Sequence, residues 1–514
     1  MRSVRSWGAR AFSRLLGRLP GFMAPAPHRR VRQVFLSALG GIYFIAFTSL
    51  GRQLLGLYGS RGILPMRELL TSPGLLALGR ERYVHLPTVF WRDASDNTLM
   101  RGIRVGQALA VAVMLGLVPQ AALAGLYVLY LSYMTAGREF LSFQWDALLL
   151  EMGLLGVLTA PAGLRPGAGR HEPSAAQVAL WRALVLRLYL GSGVAKLRSG
   201  DKTWRELTAC DVYFETAPLP TRGGWHAHHA PPRLRKLGTF TVLALETVGP
   251  FLAFAPRRLR LTGFWLFSGL QALILATGNY GFFNVQSLAL GLWLLDDKAL
   301  ERWWPSPAPA RPRSVWRELG AWLPAAPLFV LGARELLERF DWPRTSPRWL
   351  DTLARWARPL GAVNPYGLFA VMTVRRPEIA LEGSEDGETW SEYTFRYKLN
   401  APEQAPRQVA PHQPRLDWQM WFAALGSPPR WLLALVVRLL EGSPEVVKLL
   451  ARTPFPEHPP RFIRAVLYDY RMTDPQTRES TGAWWTRERK GLYLPPLSLA
   501  PGEGASRLQW YAGD

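Results

Sequence analysis

Five ionisable residues sit inside apolar stretches of this 514-residue chain. They are Asp146 and Glu151 in Trp145–Pro161, Arg187 and Lys196 in Val178–Leu197, and Glu246 in Leu237–Ala255. A charge in hydrocarbon costs about 3 kcal/mol on insertion scales, so such residues mark pairing or function. If the first two stretches are antiparallel neighbours, Glu151 and Arg187 meet at mid-membrane depth as an ion pair. Asp146 and Lys196 then meet near the outer face. Helical phase limits this arrangement. At about 100° per residue, Asp146 and Glu151 point about 140° apart, and Arg187 and Lys196 about 180° apart. One straight seam holds only one of the pairs. Two readings stay open: buried pairs that fix helix register, or a cavity lined by the same groups.

Lys196 follows three small residues, Gly191, Ser192 and Gly193. Small residues let helices approach closely or leave room for a ligand. A desolvated Lys has a lowered pKa and serves as a base, with Asp146, Glu151 or Glu246 as partners. A Lys at a helix end also snorkels to the headgroups. The segment Trp204–Pro231 gathers Asp211, Glu215, His226, His228 and His229. Imidazole and carboxylate can hold zinc, which takes three or four ligands tetrahedrally, but this spacing matches no zinc motif. The expectation is no metal and no cofactor. HExxH, a phosphate-cradling glycine loop and a dinucleotide fingerprint are all missing from the sequence. The single cysteine, Cys210, excludes a disulfide scaffold, a CxxC redox centre and a thiolate cage.

The elements that position these residues follow from composition. The chain carries 61 Lys+Arg against 38 Asp+Glu, a net charge of +23, and is 49% hydrophobic. Its apolar residues collect in blocks long enough to cross hydrocarbon, with Arg between the blocks. The basic excess therefore reads as topology and lipid-headgroup contact, and no compact basic stripe points to nucleic acid. Nine spans are expected, at Val34–Gly51, Ile103–Val118, Ala121–Ala136, Trp145–Pro161, Val178–Leu197, Leu237–Ala255, Leu259–Thr277, Phe282–Leu295 and Gly320–Leu336. Residues 1–32 carry eight Arg and form a basic cytoplasmic N-terminus. Arg257, Arg258 and Arg260 crowd one short turn, while Gly278-Asn279-Tyr280 has no charge. The positive-inside rule then places the N-terminus in the cytoplasm, loops 52–101 and 198–236 outside, and the C-terminal part outside. Residues 33–340 form the transmembrane domain, and 341–514 a C-terminal β-rich extracytoplasmic domain.

Within that C-terminal part, Val371–Lys398 alternates around Ser384-Glu385-Asp386-Gly387 and predicts strand–turn–strand. Leu416–Leu440, broken by Ser427-Pro428-Pro429, reads as a surface or interfacial helix. Pro-rich Trp304–Pro312 reads as a linker. The fold class is an α-helical polytopic membrane protein with about nine transmembrane helices and a β-rich outer domain.

Several strings resemble the lipase maturation factor family. They are Leu131–Pro161, Arg187–Pro220, His228–Pro231, Asn364–Phe369 (NPYGLF), Arg415–Leu425 (RLDWQMWFAAL), Pro459–Tyr470 and Gly482–Pro495. The resemblance implies a multi-pass membrane protein whose eukaryotic relatives reside in the endoplasmic reticulum. There they support the folding and assembly of secreted lipases, with the C-terminal domain in the lumen. It implies a lipid bilayer and an exported lipase client as partners. It assigns Asn364, Tyr366, Arg415, Asp417, Trp418 and Trp421 to the structure or partner surface of the C-terminal domain. The Arg-rich N-terminus suits a bacterial inner membrane.

A shorter string, Gly193–Leu197 followed by Trp204, is similar to the Lys-containing helix end of the vitamin K-dependent carboxylase-like membrane family, which implies a base role for Lys196. The principal functional reading is a non-enzymatic maturation or chaperone-type factor. Exposed aromatics Trp390, Trp418, Trp421, Trp484 and Trp485 would anchor its partner or the headgroups. The alternatives are a membrane-embedded enzyme or lipid-handling protein using Lys196, and a transporter, for which no inverted repeat is visible.

Overall fold

A computed structural model describes residues 26–305, 310, 311, 314–342, 346–500 and 508–510. The basic stretch 1–25 and much of the Pro-rich linker lie outside the described residues. Each of the nine expected spans is helical. They are α1 (Arg29–Gly51), α2 (Asp96–Met114), α3 (Pro119–Ala136), α4 (Gln144–Thr159), α5 (Ala175–Arg198), α6 (Pro232–Thr247), α7 (Arg257–Thr277), α8 (Phe283–Gly291) and α9 (Val315–Glu338). Among the described residues, α1, α5 and α7 are long and apolar enough to cross a membrane. Loops 52–101 and 198–236 carry short helices.

Local chemistry sets the helix starts. Ser174 and Gln177 form a reciprocal capping box at α5: the Ser174 hydroxyl accepts from the Gln177 amide, and the Gln177 side chain accepts from the Ser174 amide. Pro119 stands at the first position of α3, where its missing N–H costs nothing.

Ring packing joins the helices. Phe35 of α1 lies edge-on to Trp181 of α5 at 4.5 Å, and Trp181 stacks on Trp293 at 5.3 Å. One end of the bundle is polar. Asp296 accepts from Arg257 and Arg260, and Asp297 accepts from the amides of Arg30 and Val31.

The C-terminal part holds an antiparallel five-stranded sheet. Its strands are β1 (Arg376–Ser384), β2 (Ser391–Glu392), β5 (Phe462–Met472), β6 (Trp485–Leu499) and β7 (Leu508–Trp510), in the order β2-β1-β5-β6-β7. Between β2 and β5, β3 (Thr394–Phe395) pairs with β4 (Leu450–Arg452). The predicted strand–turn–strand is β1 and β2, with Glu382 opposite Glu392. Asp386 closes its turn by accepting from the amides of Glu388 and Thr389, both at 2.8 Å. These bonds favour the ionised carboxylate and lower its pKa.

The predicted interfacial helix is instead two buried helices, α10 (Arg415–Ala424) and α11 (Arg430–Leu440). Seven of the eleven α11 residues and nine of the ten α10 residues are buried, so neither presents a broad face to headgroups. The amphipathic pattern reflects a core in place of lipid. Buried apolar residues from α1 through β6 form one continuous cluster, so the helical and β-rich parts share a core.

Candidate functional site

The buried charges of the helical bundle are met by the C-terminal chain. Asp146, near the start of α4, is fully buried. Arg415, the first residue of α10, reaches it with both guanidinium nitrogens, Nη2 to Oδ1 at 2.8 Å and Nη1 to Oδ2 at 2.9 Å. Tyr130 of α3 donates its hydroxyl to Asp146, and Arg415 also donates to the Phe140 carbonyl at 2.7 Å. Two-pronged geometry of this kind is the strongest form of the Arg–carboxylate contact.

Five residues along α4, Glu151 receives Arg187 of α5, Nη1 to Oε1 at 2.5 Å and Nη2 to Oε2 at 3.2 Å. The strap from Ala362 to Phe369 completes this site. Tyr366 donates its hydroxyl to Glu151 at 2.8 Å, the Asn364 amide donates to Glu151 at 3.2 Å, and the Asn364 carbonyl accepts from Arg187 at 2.9 Å.

The strap then reaches a third pair. Lys196 of α5 donates to Glu246 of α6 at 2.7 Å and to the Leu368 carbonyl at 2.9 Å, and its ammonium lies 5.2 Å from the centre of the Trp204 ring. Only 4% of Lys196 is exposed, so it neither snorkels nor stands free as a base.

These contacts separate the two pairings foreseen from the sequence. Glu151 and Arg187 stand together. Asp146 and Lys196 do not, because opposite faces of α5 carry Arg187 and Lys196, and each takes a different neighbour. Asp146 found its cation in α10, and Lys196 its carboxylate in α6. The missed residue is Arg415. Its family string had pointed to the C-terminal domain's structure or partner surface, and the signal for this role was an acidic group in α4 left without a cation.

The small residues before Lys196 serve close approach on two sides. A Cβ on Gly191 would lie 2.7 Å from the Tyr366 carbonyl oxygen, and one on Gly193 2.7 Å from that of Glu246. Both obstacles are backbone, so the helix or the strap must move. Gly193→Ala is expected to cost about 1–3 kcal/mol by overpacking. Ser192→Ala, which loses only a hydroxyl bonded back to Leu188, serves as the control. Thermal unfolding in detergent compares the two, and equal midpoints would refute the close-packing role.

With this geometry in hand, the likeness to known proteins acquires a structural meaning. Residues 30–302 match a family model described as the lipase maturation factor transmembrane domain, and residues 362–495 one described as the lipase maturation factor C-terminal domain. The chain belongs to the lipase maturation factor family. Human lipase maturation factor 2 is 34% identical to it, over 92% of this chain and 83% of that protein. Bovine lipase maturation factor 1 is 32% identical, over 91% and 89%. Chicken lipase maturation factor 2 is 32% identical, over 92% and 82%. No solved structure matches the chain. In this lipase maturation factor family member, the region matching the transmembrane domain supplies Asp146, Glu151, Arg187, Lys196 and Glu246. The region matching the C-terminal domain supplies Asn364, Tyr366, Leu368 and Arg415, which close over them.

Burial corrects the expected partner surface. Tyr366, Arg415, Asp417, Trp418 and Trp421 are all buried, and Asn364 is half-buried. Most of their polar atoms face inward onto buried partners, although the Trp418 indole nitrogen and Arg415 Nε have none among the described residues. Asp417 Oδ1 accepts from the amides of Tyr397 and Lys398, both at 2.8 Å. Burial pushes Asp417 up to about 6 against the pull of those two amides. Trp418 packs edge-on to Trp145 at 4.8 Å, and the Trp421 indole donates to the Thr216 carbonyl at 3.1 Å. Trp484 and Trp485 are buried too, and Trp390 lies under the Arg464 guanidinium. Trp418, Trp421, Trp484 and Trp485 are thus buried and not an exposed aromatic anchor, while Trp390 stays half-buried.

The histidines are likewise engaged singly. The His229 ring bonds the Trp225 carbonyl, the His228 carbonyl accepts from Arg235, and His226 packs edge-on to the Trp225 ring. Among the described residues, no group of three His, Cys, Asp or Glu side chains is arranged to hold a metal ion.

Proposed function

We propose that this chain is a membrane-bound maturation factor for lipases or other exported hydrolases, acting as a holding and assembly surface without chemistry of its own. The observation that carries the reading is the match, over most of both chains, to relatives named lipase maturation factors. The buried pairs support it from physics: they fix one rigid arrangement of helices and C-terminal part, as a docking platform requires. Two of the three Lys196 donors are held by Glu246 and Leu368, so no free amine stands ready as a base.

In this reading residues 33–340 cross a bacterial inner membrane nine times, with the N-terminus cytoplasmic and residues 341–514 extracytoplasmic. Two contacts favour it. The Arg-bearing start of α7 and the start of α1 gather on Asp296 and Asp297 at one end of the bundle. At the other end of α7, Asn279 in the charge-free turn bonds C-terminal residues Arg407, Val409 and Ala410. The Arg-bearing end and the C-terminal contacts thus meet opposite ends of α7, as this topology requires.

The client surface in this proposal is a groove of about 580 Å³ between the helices and the C-terminal part, lined by Phe143, Phe369, Val371, Phe422 and Leu425. Val371 is 66% and Phe422 45% exposed, whereas Trp418 and Trp421 lie buried at the wall of the same groove. The test is the specific activity of exported lipases after deletion of the gene. Wild type should restore it, and Val371→Asp with Phe422→Asp should not, although that variant folds. Unchanged specific activity of every exported lipase in the deletion strain would sink the proposal.

A further inference from the structure

A separate cavity, of about 260 Å³, opens beside the Lys196–Glu246 pair. Its walls come from α5, α6, α7 and the short helix Ala209–Thr216. Apart from the Lys196–Glu246 pair and Arg235, whose charge is already taken by Asp211, the lining is largely apolar, with Val242 on α6 and Ile274 on α7. Two lining residues, Leu234 of α6 and Leu273 of α7, are 58% and 61% exposed. They mark where the cavity reaches the outside of the bundle. Helix α7 is apolar and of membrane length, yet only 28% of its apolar window is buried within the protein. Its outer face is left free for hydrocarbon, and the opening lies beside α7, between it and the N-terminal part of α6. Whatever enters comes from the bilayer.

The polar end of the cavity is specific. Glu246 is nine-tenths buried, and its Oε2 takes the Lys196 ammonium. Its Oε1 receives no hydrogen bond from any described residue, which leaves one carboxylate acceptor beside the cavity. A ligand that covers this oxygen without offering a donor would leave a buried acceptor unmade, at about 1–3 kcal/mol, so a ligand with a donor is favoured there. The pair itself is neutral. A ligand carboxylate would bring a second anion next to Glu246 without a new cation, and buried uncompensated charge is strongly disfavoured. A hydroxyl adds no charge and donates to Oε1.

We propose that this cavity binds one uncharged, single-chain amphiphile with a hydroxyl head, taken sideways from the bilayer. Its hydroxyl donates to Glu246 Oε1, and its hydrocarbon chain lies between Val242 and Ile274. The site stands apart from lipase handling: either can fail without the other, because it is read by lipid binding and not by lipase activity.

The chain carries its own reporter. Cys210, the single cysteine, lines the cavity and is partly exposed. The experiment uses the full chain in phosphatidylcholine nanodiscs, with N-ethylmaleimide labelling of Cys210 at pH 8.5. Adding 1-monooleoylglycerol is expected to slow labelling about tenfold, and oleate at the same mole fraction less than twofold, a preference worth about 1 kcal/mol. Glu246→Gln removes the anion and should let oleate protect as well as monooleoylglycerol does. A Cβ on Gly238 points toward the Cys210 sulfur at 3.5 Å, so Gly238→Phe fills the cavity. Native mass spectrometry of that variant should show no retained monooleoylglycerol. Equal protection by both lipids in the unaltered chain would mean general coating by amphiphiles and would overturn the proposal. So would no protection by monooleoylglycerol. Both outcomes are read on the native sequence, so the test survives a variant that does not fold.

Discussion

Arg415→Met is expected to lower stability by about 3–5 kcal/mol, because it strands the Asp146 carboxylate in a fully buried site. Asp146 would keep only the Tyr130 hydroxyl, and the Phe140 carbonyl would lose its donor. The loss should appear in thermal unfolding in detergent and in reduced membrane abundance, since a few kcal/mol is a large share of a protein's stability. The companion variant distinguishes charge from shape. Asp146→Leu together with Arg415→Met removes both ions and should recover much of the loss, as apolar replacements of buried pairs often do. What remains is the stranded Tyr130 hydroxyl, on the order of 1–3 kcal/mol. If the double variant is no more stable than Arg415→Met alone, the penalty is lost packing and the charge argument fails.

The second large effect is expected at Arg187. Arg187→Met leaves Glu151 with only the Tyr366 hydroxyl and the backbone and side-chain amides of Asn364, none of them charged, again at a cost of about 3–5 kcal/mol. The loss has a distinct signature here, because Arg187 also holds the strap through the Asn364 carbonyl. The strap should detach before the bundle unfolds, exposing Tyr366 and Phe369 to chymotrypsin at concentrations that leave the unaltered chain intact. Tyr366→Phe removes a single hydrogen bond to a charged group and should cost about 1.5–3 kcal/mol. Strap cleavage that is no faster in Arg187→Met than in the parent would show that Arg187 serves the helices alone.

Both predictions rest on pairs that differ in how well the sequence announces them. Glu151 and Arg187 lie on helices adjacent in the chain, so depth counting brings them together. Asp146 and Arg415 are 269 residues apart. No periodicity links a carboxylate in α4 to the first residue of α10, and the Arg-Leu-Asp-Trp string suggested a partner surface instead. The amphipathic pattern of Leu416–Leu440 misled for the same reason. A helix covered on one side by a sheet and on the other by membrane helices carries the same alternation as one lying on headgroups. Exposed apolar Val371 and Phe422 were not told apart from the buried residues around them, because both lie in patterned segments most of whose other apolar residues pack inward.

The sequence by itself determined the helical segments, since runs of apolar residues bounded by Arg, Pro and Ser have few other ways to satisfy their backbone in lipid. It determined that the ionisable residues within them could not stand alone, since an isolated charge there is too costly. It also determined the family, through long strings in order. Only the tertiary structure decided which ion meets which, because helical phase and the path of the strap depend on packing between segments far apart in the chain. Packing made Gly193 a contact with α6, turned the six family-string residues inward, and left one oxygen of Glu246 beside an apolar cavity.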